Sequence, residues 1–157
     1  MLRTGTRAPD IESVDHRGVA VSLRALVRNG PVVVYFYPRD MTLGCTIEAC
    51  SFRDAYPELT AFGCQVIGVS YDSLERHREF AAANNLPFGL VSDEDKALAH
   101  AYDVTGFFDL FPKRVTYVVD SAMTIIGVFH HELSMKAHVA NVKTALKALP
   151  VGGQRHP

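Results

Sequence analysis

Residues 32–50 read VVVYFYPRDMTLGCTIEAC, and this stretch decides the fold. Its first six residues form an unbroken β-branched and aromatic run, which is typical of a strand buried on both faces of a sheet. The strand is predicted to end at Pro38. A helix is expected to follow the loop within residues 42–56, and Pro57 is expected to kink or end it before residues 57–62 restart it.

Strands and helices alternate on both sides of this stretch. Further strands are predicted at residues 11–14, 19–21, 65–70, 88–91, 115–119 and 124–129, and helices at residues 23–28, 73–83 and 134–149. Ser92 and Asp95 have the spacing of a capping box that starts another short helix. This alternation indicates an α/β fold, with a central mixed sheet flanked by helices. The last two strands are joined too tightly for a crossover, so we expect an antiparallel hairpin there. A ligand site is expected at the carboxyl end of a central strand.

Length and composition restrict the class of protein. The chain has 157 residues, of which 48% are hydrophobic and 21% charged, so a disordered chain, a collagen-like repeat and a coiled coil are excluded. Residues 1–150 are expected to form one domain, and the small and polar residues 151–157 a flexible tail. The formal net charge of −1 provides no overall field for binding nucleic acid or an anionic membrane.

The chain is expected to be a soluble cytoplasmic protein. Its first ten residues have no apolar segment typical of a secretory signal, and its longest apolar run, residues 31–38, is far shorter than the about 20 residues that span a bilayer. In a reducing compartment, closely spaced cysteines are more often catalytic or metal-binding than structural.

Cys45 falls in the first turn of the predicted helix. The N-terminus of a helix carries roughly half a positive charge and free N–H groups, which favour a thiolate over a thiol. Cys45 is therefore predicted to be reactive, with a lowered pKa. Thr42, three residues earlier, can hydrogen-bond to the backbone of Cys45, to its sulfur, or to an oxygen brought up to that sulfur.

Cys50 follows Cys45 by five residues. On an ideal helix their Cα atoms lie about 8.6 Å apart, whereas a disulfide needs roughly 4.4–6.8 Å, so a bond between them requires at least one turn to unwind. Two unrelated buried cysteines and a zinc pair remain as alternatives, although no second pair with zinc-ligand spacing is visible. A thioredoxin-type C-x-x-C motif is absent.

Several segments together resemble the peroxiredoxins, and in particular the bacterioferritin comigratory protein or peroxiredoxin Q subfamily. The similarity covers nearly the whole chain, and its most specific part is a P-x-x-x-T-x-x-C element followed later by an arginine. The matching segments are residues 5–10, 35–54, 68–73, 86–93 and 114–120, with His138 in the closing helix.

This resemblance implies a thioredoxin-like fold and the reduction of hydroperoxides without a metal or organic cofactor. Cys45 matches the cysteine that attacks peroxide and becomes a sulfenic acid, and Cys50 matches the cysteine that resolves this acid into an intramolecular disulfide. Thioredoxin or a similar dithiol would reduce the disulfide. Thr42 matches the threonine that orients peroxide and thiolate, Arg114 the arginine that stabilises the thiolate, and Pro38 the proline that shields the site. The subfamily resemblance also implies a monomer or a weak dimer.

The chain departs from the family pattern in two places. Leu43 stands where the family usually has proline. The segment of residues 105–113 is shorter than usual and carries three phenylalanines. These rings are expected either to form an apolar rim that favours bulky organic peroxides or to pack against the core.

Other residues allow more than one interpretation. Cys64 is expected to be a packed, inert thiol, with a second resolving cysteine as the alternative. Glu48 and Arg53 either pair or cap near Cys45 or lie on a solvated face, and neither is a first choice as a catalytic residue. The acidic run at residues 92–95 is expected to be a solvated helix entry. A general thiol–disulfide oxidoreductase and a peroxide-responsive redox sensor remain alternative functions.

Overall fold

The computed structural model describes residues 1–132 and 134–149. Its strands are β1 (Glu12–Val14), β2 (Ala20–Ser22), β3 (Val32–Phe36), β4 (Gln65–Ser70), β5 (Gly89–Ser92), β6 (Val115–Val119) and β7 (Ile125–His130). Its α-helices are α1 (Leu23–Leu26), α2 (Leu43–Ala61), α3 (Leu74–Asn84), α4 (Ala97–Ala101) and α5 (Met135–Lys147), with 3₁₀ turns at Val27–Asn29 and Phe107–Asp109. The tail predicted at residues 151–157 lies outside the described residues.

Five strands form a central mixed sheet in the order β5-β4-β3-β6-β7. The β3 strand lies in the middle, parallel to β4 and antiparallel to β6. The β6 and β7 strands form the predicted antiparallel hairpin, and β1 pairs with β2 in a separate small sheet. The predicted mixed α/β sheet is therefore confirmed, and the loop after β3 opens at its carboxyl edge.

The core has two layers because β3 is buried on both faces. Val32, Val34 and Phe36 join one cluster, which includes residues of α1 and α4. Val33 and Tyr35 join the other, where α2, α3 and α5 cover the sheet. Every residue of β3 is fully buried, as the continuous apolar run predicted. The loop that follows β3 therefore begins from a rigid, buried strand.

The expected end of α2 at Pro57 and the expected start of α4 at Ser92 are wrong, whereas the alternative of a kink at Pro57 stays a prediction. Pro57 does not end α2, which continues to Ala61, and the buried Phe52 and Leu59 fix the helix on both sides of the proline. Packing of an apolar face can thus outweigh the lost N–H of proline. The α4 helix is not started by Ser92. Instead the carboxylate of Asp93, which is 2% exposed, accepts hydrogen bonds from the backbone N–H groups of Leu98 and Ala99.

Candidate active site

Cys45 lies in the first turn of α2, where the chain leaves the central strand. Thr42 is the N-cap residue, with an extended backbone, and the helix begins at Leu43. The Cys45 side chain points into the core and is 1% exposed. Sequence reasoning therefore placed Cys45 correctly at a helix N-terminus beside the carboxyl end of β3.

Arg114 brings a cation to the sulfur from the neighbouring strand. It directly precedes β6, whose Val115 pairs with Phe36 at the end of β3. Its Nη1 and Nη2 groups each donate to Cys45 Sγ at 3.4 Å. A Cβ atom at Gly44 would lie 3.2 Å from Nη2 of Arg114, so the glycine lets the guanidinium approach the start of the helix closely.

For Glu48 the sequence allowed two interpretations, pairing or capping near Cys45 or a place on a solvated face. Glu48 is fully buried, and its Oε1 accepts a 2.8 Å hydrogen bond from Arg114 Nη1, the same nitrogen that contacts the sulfur. Burial raises the pKa of Glu48 to about 8, against the opposing effect of Arg114. The interpretation as a solvated face is wrong. The three-residue spacing from Cys45 was the available signal, because residues i and i+3 share a helix face.

The predicted lowering of the Cys45 pKa is wrong for this closed site. Burial is the largest influence and raises the pKa above its ordinary value, whereas Thr42 and Arg114 lower it. The position of Cys45 at a helix N-terminus predicted an effect that lowers its pKa. It did not predict the larger opposing effect, which is the cost of removing the thiolate from water. The arginine and the threonine therefore act against a substantial desolvation penalty.

Thr42 and Pro38 lie on the chain segment that leads from β3 into α2. The Thr42 hydroxyl donates to the carbonyl of Arg39 at 2.9 Å, and the residue is exposed to solvent. Pro38 is half-buried and lines an open groove of about 360 Å³ together with Phe107 and Phe111. Both predicted residues thus lie on the segment that leads to Cys45, and the groove borders this segment at Pro38.

A buried hydrogen-bond network anchors the loop between β3 and α2. Asp40 accepts a hydrogen bond from the Tyr37 hydroxyl at 2.5 Å and pairs with Nδ1 of His77 on α3 at 2.6 Å. The backbone N–H of Asp40 donates to Asp72 at 2.8 Å. The Asp40 and His77 side chains are both fully buried. This network ties the loop to α3 and to the end of β4, and the sequence contained no spacing that pointed to it.

Cys50 is not brought to Cys45. Its Sγ donates to Asn84 Oδ1 at 3.6 Å, so it faces the end of α3 while Cys45 faces Arg114. Arg53, one turn later, donates to the backbone carbonyl of Asn84 at 2.8 Å rather than reaching Arg114. Both cysteines are free thiols, and α2 is intact across them. The site therefore unites Cys45, Arg114 and Glu48, with Thr42 at its rim and Cys50 apart.

A family model, described as the AhpC/TSA family, matches residues 4–128. This chain belongs to the AhpC/TSA family. The curated relative peroxiredoxin Bcp of Bacillus subtilis is 38% identical over 152 residues, which cover 93% of this chain and 96% of the relative. The resemblance to peroxiredoxins is thus confirmed, and the chain is a thiol-dependent peroxidase.

Solved structures of AhpC/TSA family members of the same subfamily have the same fold. The peroxidoxin BcpB of Mycobacterium tuberculosis superposes with a TM-score of 0.89 at 33% identity, over 96% of this chain and 99% of that one. The bacterioferritin comigratory protein of Xanthomonas campestris, studied for its alkyl peroxide reduction activity, superposes with a TM-score of 0.80 at 32% identity, over 88% and 90% of the two chains. The predicted thioredoxin-like fold is confirmed.

The third cysteine of this peroxiredoxin lies away from the site. Cys64 is fully buried directly before β4, and burial raises its pKa to about 12. Its packed position agrees with the expectation of an inert thiol.

Among residues 1–132 and 134–149, no group of three or more His, Cys, Asp or Glu side chains is arranged to hold a metal ion. Within the same part of the chain, no helix has the length and apolarity that a membrane span requires.

The phenylalanines of the peroxiredoxin's 105–113 segment do not join the core. Phe107 and Phe108 are 82% and 79% exposed, and their rings contact each other at a centroid distance of 4.1 Å. The segment itself is tied down, because Tyr71 and Lys96 both donate to Asp109. The alternative of core packing is therefore wrong, and Phe107 and Phe111 line the groove that includes Pro38.

Proposed function

We propose that Cys45 is the nucleophile that reduces hydroperoxides in this peroxiredoxin. The observation that carries the proposal is the pair of N–H groups that Arg114 directs at Cys45 Sγ at the N-terminus of α2. A thiolate is the reactive form of cysteine, and a guanidinium beside it stabilises that charge. The same N–H groups stabilise charge that shifts onto the leaving oxygen.

The reaction proceeds by attack of the Cys45 thiolate on the terminal oxygen of the peroxide. An S–O bond forms and the O–O bond breaks, so the sulfur is oxidised to a sulfenic acid and the peroxide is reduced to water or an alcohol. Thr42 orients the peroxide from the mouth of the site, Arg114 holds the developing charge, and Pro38 limits access of water. None of these roles requires a metal or an organic cofactor.

Cys50 is proposed to resolve the sulfenic acid. Its thiol attacks Cys45 Sγ, a disulfide forms, and water leaves. Because Cys50 faces Asn84 on α3, it reaches Cys45 only after the start of α2 has unwound. A thiol reductant then reduces the exposed disulfide, and thioredoxin or a similar dithiol protein is the proposed donor.

The cellular compartment, the domain extent and the oligomeric state of the enzyme are also part of this proposal. We propose a reducing compartment such as the cytoplasm, where closely spaced cysteines such as Cys45 and Cys50 are more often catalytic than structural. We propose that residues 1–150 act as one domain, followed by a tail at residues 151–157, and that this unit works as a monomer or a weak dimer.

The test is thioredoxin-coupled consumption of hydrogen peroxide by the wild type, Cys45→Ser and Cys50→Ser. We expect no turnover without Cys45, and a single oxidation without recycling by thioredoxin when Cys50 is absent. Cys64→Ala is the matched control, since its thiol is buried away from the site, and it should keep wild-type turnover. Turnover by Cys45→Ser would defeat the proposal, and full recycling by Cys50→Ser would defeat the role of Cys50. A general oxidoreductase would instead reduce disulfides without consuming peroxide.

The exposed phenylalanines support a preference for organic hydroperoxides. Phe107 and Phe111 line the groove that includes Pro38, and the ring of Phe108 contacts that of Phe107 at an interplanar angle of 57°. An apolar peroxide tail that covers these rings removes them from water, at about 25 cal/mol per Å² buried. We expect Phe108→Ser to lower kcat/KM for cumene hydroperoxide several-fold and to leave kcat/KM for hydrogen peroxide unchanged. Val19→Ser, at a distant exposed apolar residue, is the control. If the ratio of kcat/KM for cumene hydroperoxide to kcat/KM for hydrogen peroxide is unchanged in Phe108→Ser, the phenylalanines do not set the substrate preference.

A further inference from the structure

Three buried polar atoms without a hydrogen-bond partner cluster at the active site. Among the described residues they are Tyr35 Oη, Glu48 Oε2 and Arg114 Nε, and no other buried side-chain nitrogen or oxygen in that part of the chain lacks a partner. Buried polar atoms are nearly always paired, so unpaired atoms need an explanation. Their concentration around Arg114 indicates that the charge state of this pocket is part of the chemistry.

Cys45 and Glu48 compete for one cation. Nη1 of Arg114 donates to Cys45 Sγ at 3.4 Å and to Glu48 Oε1 at 2.8 Å, so the sulfur and the carboxylate are neighbours around a single nitrogen. Cys45 is 1% exposed and Glu48 fully buried. A thiolate and a carboxylate together would place two negative charges against one positive charge in a dry pocket, which is unfavourable.

In the part of the chain that the structure describes, no other group facing the pocket supplies a second cation. His138 on α5 approaches Glu48 Oε2 at 3.6 Å, but its Nε2 donates to the carbonyl of His131 and its Nδ1 accepts from Thr116. Burial lowers the pKa of His138 to about 4, so its ring is neutral. Glu132 adds negative charge from the far side of Arg114, where it accepts the backbone N–H. Burial and nearby Glu48 raise the pKa of Tyr35, which keeps that hydroxyl neutral.

We propose that Glu48 is the proton partner of Cys45. The two side chains share one proton and one negative charge, and Arg114 balances that negative charge. The thiolate forms when the proton moves from Cys45 to Glu48. This inference rests on the proposed function of Cys45. When the thiolate attacks the terminal peroxide oxygen, the O–O bond breaks and the leaving alkoxide takes the proton from Glu48. Cys45 becomes a sulfenic acid and an alcohol leaves. The ionised carboxylate of Glu48 then replaces the thiolate as the anion that pairs with Arg114. Atoms and charges therefore balance without an external acid or base.

Glu48→Gln separates this role from mere positioning of Arg114. Glutamine keeps an acceptor oxygen for Nη1 but cannot exchange a proton at neutral pH. We expect the ultraviolet titration of the Cys45 thiolate to move to lower pH, because the competing anion is gone. We also expect the rate constant of the fully formed thiolate with peroxide to fall about 100-fold, the range of a lost general acid. Glu58→Gln, an exposed glutamate of α2 paired with Lys143, is the control and should change neither quantity.

A variant that keeps either the wild-type titration or the wild-type rate constant overturns the proposal. An infrared difference measurement on the wild type gives a test that does not depend on Glu48→Gln folding. The reduced enzyme should show a protonated buried carboxyl band, which one equivalent of peroxide removes and which Cys45→Ser lacks. Absence of this band in the reduced enzyme also overturns the proposal. Peroxide consumption by Cys45→Ser would instead show that the proposed function, and not the proton pairing, has failed.

Discussion

At the scale of single residues, the shape of the guanidinium decides how Arg114 works. Two of its nitrogens reach one sulfur at equal distances of 3.4 Å, while one of them also reaches Glu48. A lysine ammonium carries the same charge but has no planar fork. We predict that Arg114→Lys lowers the second-order rate constant for oxidation of Cys45 about 100-fold, the effect of losing one donor to a developing charge. Stopped-flow mixing of the reduced enzyme with peroxide measures this constant.

Arg53→Lys provides the matched control for that measurement. Arg53 lies on the same helix as Cys45, but its side chain bonds to Asp54 and to the end of α3 instead of the sulfur. The rate constant of this variant should stay within about twofold of the wild type, since surface ion pairs contribute little. Equal losses in Arg114→Lys and Arg53→Lys would mean that general positive charge, and not the two-donor geometry, supports the reaction.

The sequence predicted the candidate residues more reliably than their environments. Cys45 and Arg114 followed from the motif and the family resemblance, and the structure brings them together. The burial of Glu48 did not follow, because a spacing of three residues defines a helix face but not what covers it. That face is covered by β6 and α5, which lie about 65 to 100 residues further along the chain. The cost of burial also reversed the expected pKa shift of Cys45.

At the scale of elements, the first half of α2 is the part that must change shape. Its two cysteines face different neighbours, and an intact helix holds their Cα atoms about 8.6 Å apart, beyond disulfide range. We predict that oxidation to the Cys45–Cys50 disulfide accelerates amide exchange across residues 43–50 at least about tenfold, because local opening costs less once the turn is unwound. Hydrogen exchange with mass spectrometry on reduced and oxidised enzyme measures this difference.

The hydrogen-exchange experiment has two internal controls. Amides of β4 lie between two neighbouring strands, β5 and β3, and should exchange equally in both states. Cys50→Ser treated with peroxide cannot form the disulfide, so its residues 43–50 should remain protected like those of the reduced enzyme. Equal protection of this segment in reduced and oxidised wild type would rule out local unwinding as the route to the disulfide.

Element prediction succeeded where local pattern and burial agreed. The β4 strand was predicted at residues 65–70, as observed, because its apolar residues 66–69 form a short run between two helices. The end of α2 and the start of α4 were wrong for a shared reason. In both, a tertiary contact overrode a local signal: packing on either side of Pro57 in one, and the buried Asp93 carboxylate in the other. Sequence spacing alone does not encode such contacts.

At the scale of the whole molecule, the buried charges of the site couple folding stability to pH. Burial raises the pKa of Glu48 from 4.5 to about 8 and lowers that of His138 from 6.5 to about 4. Between about pH 4.5 and 6.5 the unfolded chain has lost the Glu48 proton but still holds the His138 proton. The two groups therefore shift the folding equilibrium in opposite directions over that interval, and their effects nearly cancel.

Above pH 6.5 only the Glu48 contribution remains of the two. Taken alone, Glu48 makes rising pH favour unfolding by up to about 1.4 kcal/mol per pH unit, because the unfolded chain has released its proton while the folded protein keeps it. Cys45 acts in the opposite direction, since its thiol is protonated in the unfolded chain and ionised in the proposed pair, so the Glu48 contribution is read from the difference between the wild type and Glu48→Gln. We predict that the free energy of unfolding of the reduced protein, measured in urea, falls by about 2 kcal/mol from pH 6.5 to 8 relative to Glu48→Gln. Glu58→Gln should follow the wild-type curve, since its carboxylate is exposed on α2. Parallel curves for the wild type and Glu48→Gln would mean that Glu48 is ionised in the folded protein throughout this range, with Arg114 compensating fully for its burial.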